Sequence, residues 1–309
     1  MEIYNIDLHY HAGQERQPGL TLKDYIQYAK TTGRKILGIT DHIGLYMPDS
    51  SSKKVVLYER SINGLLQYRQ EIEELKDEYP DITMYFAPEI NPAYDLNSMS
   101  EKVIEISDFF IFELPNVREE DSIISNTENM IKRMYEMNEF CNNTGKEAYI
   151  AHPFRSSVNI KLVKKEIEPW ITEMKPGITK IDLHSDEIKK EENYYGFSIE
   201  EINSFFMFDV VEFGATAVKL NLSVEINGNT QQRIRASNLP APLQMLWGAF
   251  KIMKEMGVDF VPGSDQHGFI NMVNNNRMGG YVPWDCFVAL GITLEDIKFI
   301  TKLKGYKII

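Results

Sequence analysis

The chain has 309 residues, 43% of them hydrophobic, enough to bury a large core as one big domain or two ordinary ones. Its 45 acidic residues against 33 basic give a formal net charge of -12, which disfavours a general nucleic-acid binder because such proteins present a basic face to the phosphates. Cys141 and Cys286 are too far apart for a CxxC pair, no run approaches the ~20 apolar residues of a membrane span, and "MEIYNIDLHYH" lacks the basic flank of a signal peptide, so a cytoplasmic, non-membrane protein without disulfides is expected.

In chain order, "EIYNIDLH" reads as a buried strand ending in His9 and His11. Thr21 is the predicted N-cap of a helix over "LKDYIQYAKTT", which Gly33 stops. "KILGITDH" is a second strand ending in Asp41 and His42, and Ser61 to Tyr79 carries apolar residues at helical spacing. "ITMYFAPEI" is a third strand ending in Glu89, "DFFIFEL" a fourth, Thr127 to Thr144 a helix, and "EAYIAHP" a fifth strand ending in His152. Arg155 to Asn221 is the least regular stretch and the candidate place for an insertion or lid, with "DEIKKEEN" a solvated loop or helix face. "LSVEING", a helix over Pro242 to Met256, "VDFVPGSD" ending in Asp265 with His267 beyond it, and a helix over Thr293 to Lys304 complete the chain. Strand-then-helix order repeated about seven times implies a parallel sheet, and favours closure into a barrel over an open sheet. No linker or repeat marks a boundary, so residues 1–309 are read as one domain.

The rare polar residues stand at the C-terminal ends of these strands, where a parallel barrel builds its site from the following loops. Neutral imidazoles gathered with carboxylates suit Zn, Mn or Fe. His9 and His11 point the same way along an extended segment, so both can reach one ion. Asp7 shares their side and is expected to accept a hydrogen bond from an imidazole, fixing its tautomer. His184, alone in "KIDLHSD", reads as a hydrogen-bonded loop or core residue. Glu225 and Asn227 are candidates to support the ligands from the strand before the last. Arg155 follows His152 closely enough to grip a phosphate oxygen, with Arg16 and Arg277 as weaker candidates in other loops, and "NMVNNNRMGG" reads as a mobile loop able to cover a substrate. Tyr10, Tyr46 and Met47 flank these elements, and either line the pocket or pack in the core.

At these residues the sequence resembles the PHP (polymerase and histidinol phosphatase) superfamily of metal-dependent phosphoesterases. "DLHYHA" is similar to its opening HxH signature, "GITDH" to the second element, "APEIN" to the glutamate element, "IAHPFR" to the histidine-proline element and "GSDQH" to the closing SDxH. The resemblance runs from Asp7 to His267 in the family's order and implies a distorted TIM-like (β/α)7 barrel holding one to three divalent ions. It implies that His9, His11, Glu89 and Asp265 hold one ion, that Glu89 bridges to a second bound by His152, and that His42 with His267 holds a third. Two positions depart from the phosphatase pattern. After the first loop the chain reads "GQERQPG", with Glu15 or Gln17 as substitutes for a histidine, and the fourth strand closes on Glu113 and Pro115 in place of another. A hard oxygen ligand from Glu113 or Glu15 retains the site with altered metal preference; otherwise only one or two ions bind.

The implied function is hydrolysis of a small phosphorylated metabolite by metal-activated water, with Arg155 on the phosphate and His42 or His267 as proton donor to the leaving group. The other readings are a metal-retaining binding or regulatory protein without turnover, and an amidohydrolase-like hydrolase of C–N bonds. The "TDH" and "SDQH" elements count against the last.

Overall fold

The computed structural model describes residues 2–13, 19–48, 55–58, 62–164, 195–237, 240–267, 282–303 and 305. Seven parallel strands make the central sheet: β1 (Ile6–His11), β2 (Ile36–Thr40), β3 (Thr83–Phe86), β4 (Phe109–Phe112), β5 (Glu147–Ile150), β6 (Ser223–Asn227) and β7 (Phe260–Gly263). β2 and β3 are each interrupted and resume as His42–Ile43 and Glu89–Ile90, which pair with each other. The break in β3 falls at Ala87-Pro88, where proline removes a ladder donor. β1 pairs with β2, β2 with β3, the resumed third strand with β4, and β4 through β7 follow in sequence.

The ring closes just beyond β7. The Asp265 amide donates to the His9 carbonyl (2.8 Å), and the His11 amide donates to the Gln266 carbonyl (3.0 Å). Tyr10 and Gln266 form a parallel bridge. The expected seven-stranded barrel therefore forms, and its two chain-distant ends meet at β1. A bulge between Asp7 and Tyr10 brings the Leu8 carbonyl so near Gly38 that a Cβ there would lie 2.2 Å from it, so only glycine fits that point of β2.

The barrel is filled rather than hollow. Phe299 packs edge-on against both Phe109 and Tyr149, which tilt against each other, at the N-terminal end, and the buried Tyr149 hydroxyl donates to the Leu8 carbonyl (2.8 Å). Outside, Phe110 and Phe112 pack on Phe140 of the 22-residue helix Ile123–Thr144. That helix starts four residues before the expected Thr127, because Ser122 accepts a hydrogen bond from the Ser125 amide and caps it there. Thr21 caps Leu22–Thr31 as expected, and the other two long helices span Ile62–Glu78 and Pro240–Glu255.

Two expectations need correction. The C-terminal helix is split into a 3-10 turn, Leu294–Asp296, and a short helix, Lys298–Lys302, because the Asp259 carboxylate accepts from the Lys298 and Phe299 amides and starts a new helix there. The stretch after His152 is more regular than its composition suggests: helices span Arg155–Lys164, Ile199–Phe206 and Val210–Lys219, the last two capped by Ser198 and Asp209. Of the stretch from Arg155 to Asn221 offered for an insertion or lid, residues 165–194, with "DEIKKEEN" and His184, lie outside the described residues. The chain after His42 also forms a two-stranded hairpin, Leu45–Pro48 with Val55–Tyr58, which includes the backbone of Tyr46 and Met47. Among the described residues no helix is long and apolar enough to cross a membrane.

Asp7 and Arg34 form a wholly buried ion pair (2.9 Å) under the β1–β2 junction. Burial pushes the Asp7 carboxyl up and Arg34 draws it back down. Removing the cation leaves an uncompensated carboxylate, so Arg34→Met is expected to lower stability by about 3–5 kcal/mol in urea unfolding.

Candidate metal centre

The C-terminal ends of all seven strands carry polar side chains into one mouth. His9 and His11 come from β1, His42 and Glu89 from the resumed second and third strands, Glu113 and His152 from the residues after β4 and β5, Glu225 from β6, and Asp265 and His267 from beyond β7. His9, His11, Glu89, Glu225 and Asp265 are buried completely or nearly so. His152 (φ 21°) and Asp265 (φ 54°) adopt positive φ without being glycine, a strain the surrounding barrel holds in place.

Glu89 is the hub. Its Oε2 lies 3.3 Å from His9 Nε2, 3.2 Å from His11 Nε2 and 3.1 Å from His42 Nδ1, while its Oε1 lies 2.8 Å from His152 Nε2. His9 Nε2 and His11 Nε2 are 3.0 Å apart, as expected for neighbours on one face of a strand. Asp265 Oδ1 lies 4.0 Å from His9 Nε2, 3.6 Å from His11 Nε2 and 3.4 Å from His267 Nδ1. The His11 and His267 rings stack with centroids 3.9 Å apart. The first ligand set implied by resemblance, His9, His11, Glu89 and Asp265, is thus brought together, as are Glu89 with His152 and His42 with His267.

The donor atoms form four overlapping groups, each spanning no more than 4.8 Å: His11, His42 and His267; His9, Glu89 and His152; His9, His11 and Asp265; and His42, Glu89 and Glu113. These residues fit divalent cations. Asp265 Oδ1 is buried and makes no hydrogen bond, although three imidazoles surround it, and a cation at that point would satisfy it.

The charge states of His11 and His42 suit neutral ligands. Burial pushes His42 down to about 4 and lowers His11 well below its usual range, with the neighbouring His267 adding to the second effect, so these imidazoles are neutral donors. Burial also lowers His9, but Glu225, Glu89 and Asp265 together outweigh it and raise that imidazole well above its usual range. Glu89 and Asp265 are held ionised: burial opposes charge at both, but His9 and His42 prevail at Glu89, and Arg155 and His9 at Asp265.

The supporting layer differs from expectation. Asp7 does not accept from an imidazole; its Oδ1 accepts from the Ser264 amide (2.9 Å), and its other oxygen pairs with Arg34. The carboxylate that orients His9 is Glu225, whose Oε1 is 2.9 Å from His9 Nδ1 and whose Oε2 accepts from the His152 amide (2.8 Å). Asn227 and Asn229 donate to Asp265 Oδ2 at 3.4 Å and 3.3 Å. Tyr10 points away from the mouth into the core, and its hydroxyl donates to the Tyr25 carbonyl (2.9 Å). Arg155 Nη1 lies 3.1 Å from Asp265 Oδ2 and 2.8 Å from His152 Nε2, so it meets the metal ligands themselves. Glu15, Arg16, Gln17 and Arg277 lie outside the described residues, as do residues 271–280, "NMVNNNRMGG".

No protein-family model and no curated protein matches the sequence. Among solved structures, the fold is similar to the crystal structure of histidinol phosphate phosphatase from Lactococcus lactis subsp. lactis Il1403, complexed with zinc, L-histidinol and phosphate. The TM-score is 0.51 at 14% identity, covering 94% of each chain. At that identity the likeness is one of fold, and it agrees with the barrel that the sequence elements imply.

Gly263 lets Glu225 approach His9: a Cβ there would lie 2.0 Å from Glu225 Oε1 and 2.7 Å from His9 Cβ. Since groups that orient a metal-binding imidazole typically contribute 10–100-fold in affinity, Glu225→Gln and Gly263→Ala are each expected to weaken metal binding by about that factor in a chelator competition titration.

Proposed function

We propose that the protein is a metal-dependent phosphoesterase, one domain over residues 1–309, that hydrolyses a small phosphorylated metabolite. The observation that carries this reading is the convergence of five imidazoles with Glu89 and Asp265 in a mouth that also holds an arginine. His9, His11, Glu89, Asp265, His152, His42 and His267 would hold one to three ions of Zn, Mn or Fe. Bound divalent ions supply a water acidified to near-neutral pKa and offset charge on phosphoryl oxygens.

The chain's own groups do the rest. The side chains of Arg155 (22% exposed) and His267 (27%) are the open ones in a cluster whose other imidazoles are nearly sealed, so substrate approaches on their side. A cavity of about 120 Å³ lies there, lined by Glu113, Asn116, His152, Arg155 and Asn159 among others. Arg155 commits Nη1 to Asp265 and His152, and the rest of its fork is available to orient a phosphate bidentately. His42 is the deeper of the two and serves as a ligand, while His267, the most exposed imidazole, is the better placed to pass a proton to the leaving alkoxide in any form of the centre that leaves it free of metal. A net charge of -12 works against long phosphate backbones and favours a small monoester.

Elemental analysis of the purified protein, followed by a panel of phosphorylated metabolites and amides with and without added manganese, tests this reading. His9→Ala is expected to lose both bound metal and turnover. Arg155→Ala should keep its metal while kcat falls about 10²–10³-fold, the usual cost of one transition-state donor. Undiminished turnover in His9→Ala, or turnover of amides alone, would reject it.

A further inference from the structure

His267 is the imidazole of this mouth that the barrel itself holds least. The seam that ties β1 to the residues after β7 ends at Gln266, whose carbonyl accepts from the His11 amide, so His267 is the first residue beyond the ladder. Its side chain is more open than those of His9 and His11, which are sealed. Yet its ring stacks on His11 with centroids 3.9 Å apart, and it joins His11 and His42 in one group of donors. Its Nδ1 lies 3.2 Å from the Asp265 carbonyl, which can only accept, so that nitrogen carries the proton and Nε2 the lone pair. A ring aimed so closely from the end of a ladder needs its backbone fixed by something else.

That anchor comes from a helix. The Tyr25 hydroxyl, on the helix Leu22–Thr31, donates to the His267 carbonyl (3.2 Å). Tyr25 is wholly buried and is itself fixed by Tyr10: the two rings meet edge to face at 5.8 Å, and the Tyr10 hydroxyl donates to the Tyr25 carbonyl (2.9 Å). Tyr10 is the residue between His9 and His11, and alternation along β1 turns it towards the helix while they face the mouth. One strand of six residues thus supplies two donors to the mouth and, by way of the helix, a brace for a third. We propose that Tyr25 is a positioning residue that holds His267 in register with His11 and His42 for the cation these three imidazoles share, and that Tyr10 steadies Tyr25 in that task. The proposal rests on the metal-centre reading above and adds to it a support that stands on the far side of β1 from the cluster.

The test separates a brace from ordinary core packing. Tyr25→Phe keeps the ring against Tyr10 and removes only the hydroxyl, so Tm is expected to stay within a few degrees of wild type. Full-length protein is titrated with zinc against a chromophoric chelator, and kcat and KM are measured on p-nitrophenyl phosphate. Groups that orient a metal ligand typically contribute 10–100-fold in affinity or activity, so Tyr25→Phe should weaken the most loosely bound zinc and lower kcat by about tenfold or more each, with KM nearly unchanged. In a His267→Ala background the same substitution should alter neither the remaining zinc affinity nor the residual kcat, because its effect passes through that imidazole. A lower Tm with zinc affinity and kcat unchanged, or equal losses in both backgrounds, would overturn the role of Tyr25 while leaving a metal-dependent phosphoesterase standing. Wild-type protein that binds no zinc and hydrolyses no phosphoester would reject both readings.

Discussion

The seam between β1 and the residues after β7 is the constraint on which the centre depends. Two backbone hydrogen bonds, from Asp265 to His9 and from His11 to Gln266, join segments more than 250 residues apart in sequence and place the HxH pair against the Asp265–His267 pair. Loop-closure entropy makes such a contact costly, and the buried Asp7 reinforces it by accepting from the Ser264 amide while pairing with Arg34. Without this seam the His9–His11 pair and the Asp265–His267 pair would stand at the two free edges of an open sheet.

Once closed, the mouth carries an electrostatic load that dictates its chemistry. Glu89, Asp265 and Glu225 are buried completely or nearly so, and carboxylates in that setting need compensating positive charge. Arg155 and the raised His9 supply part of it, and the inward-facing, neutral His11 and His42 supply lone pairs. A set of this kind has the donors that divalent cations require. The aromatic cluster of Phe109, Tyr149 and Phe299 fills the opposite end.

Much of this was legible from residue order. Period-two alternation places His9 with His11, and the rule that parallel barrels build sites at strand C-termini gathers His42, Glu89, His152 and Asp265. What could not be read was partnership among buried charges. Asp7 and Glu225 look equally suited to orient an imidazole, and the choice between them depends on Arg34 and on the absence of a side chain at Gly263, neither of which lies near them in sequence. The interruptions of β2 and β3 escaped notice for a related reason. "KILGITDH" and "ITMYFAPEI" read as continuous strands, and only the three-dimensional pairing of His42 with Glu89 reveals that each resumes after a break. The split of the last helix likewise depends on Asp259, some 40 residues upstream of the amides it caps.

The most direct measurement is a crystal structure of protein grown with zinc and manganese, with anomalous scattering recorded at each metal's absorption edge. The account predicts anomalous density enclosed by His9, His11, Glu89 and Asp265, with further density reaching towards His42 and His152. Ordered side chains around a centre that holds only water or the Arg155 guanidinium under those conditions would contradict it.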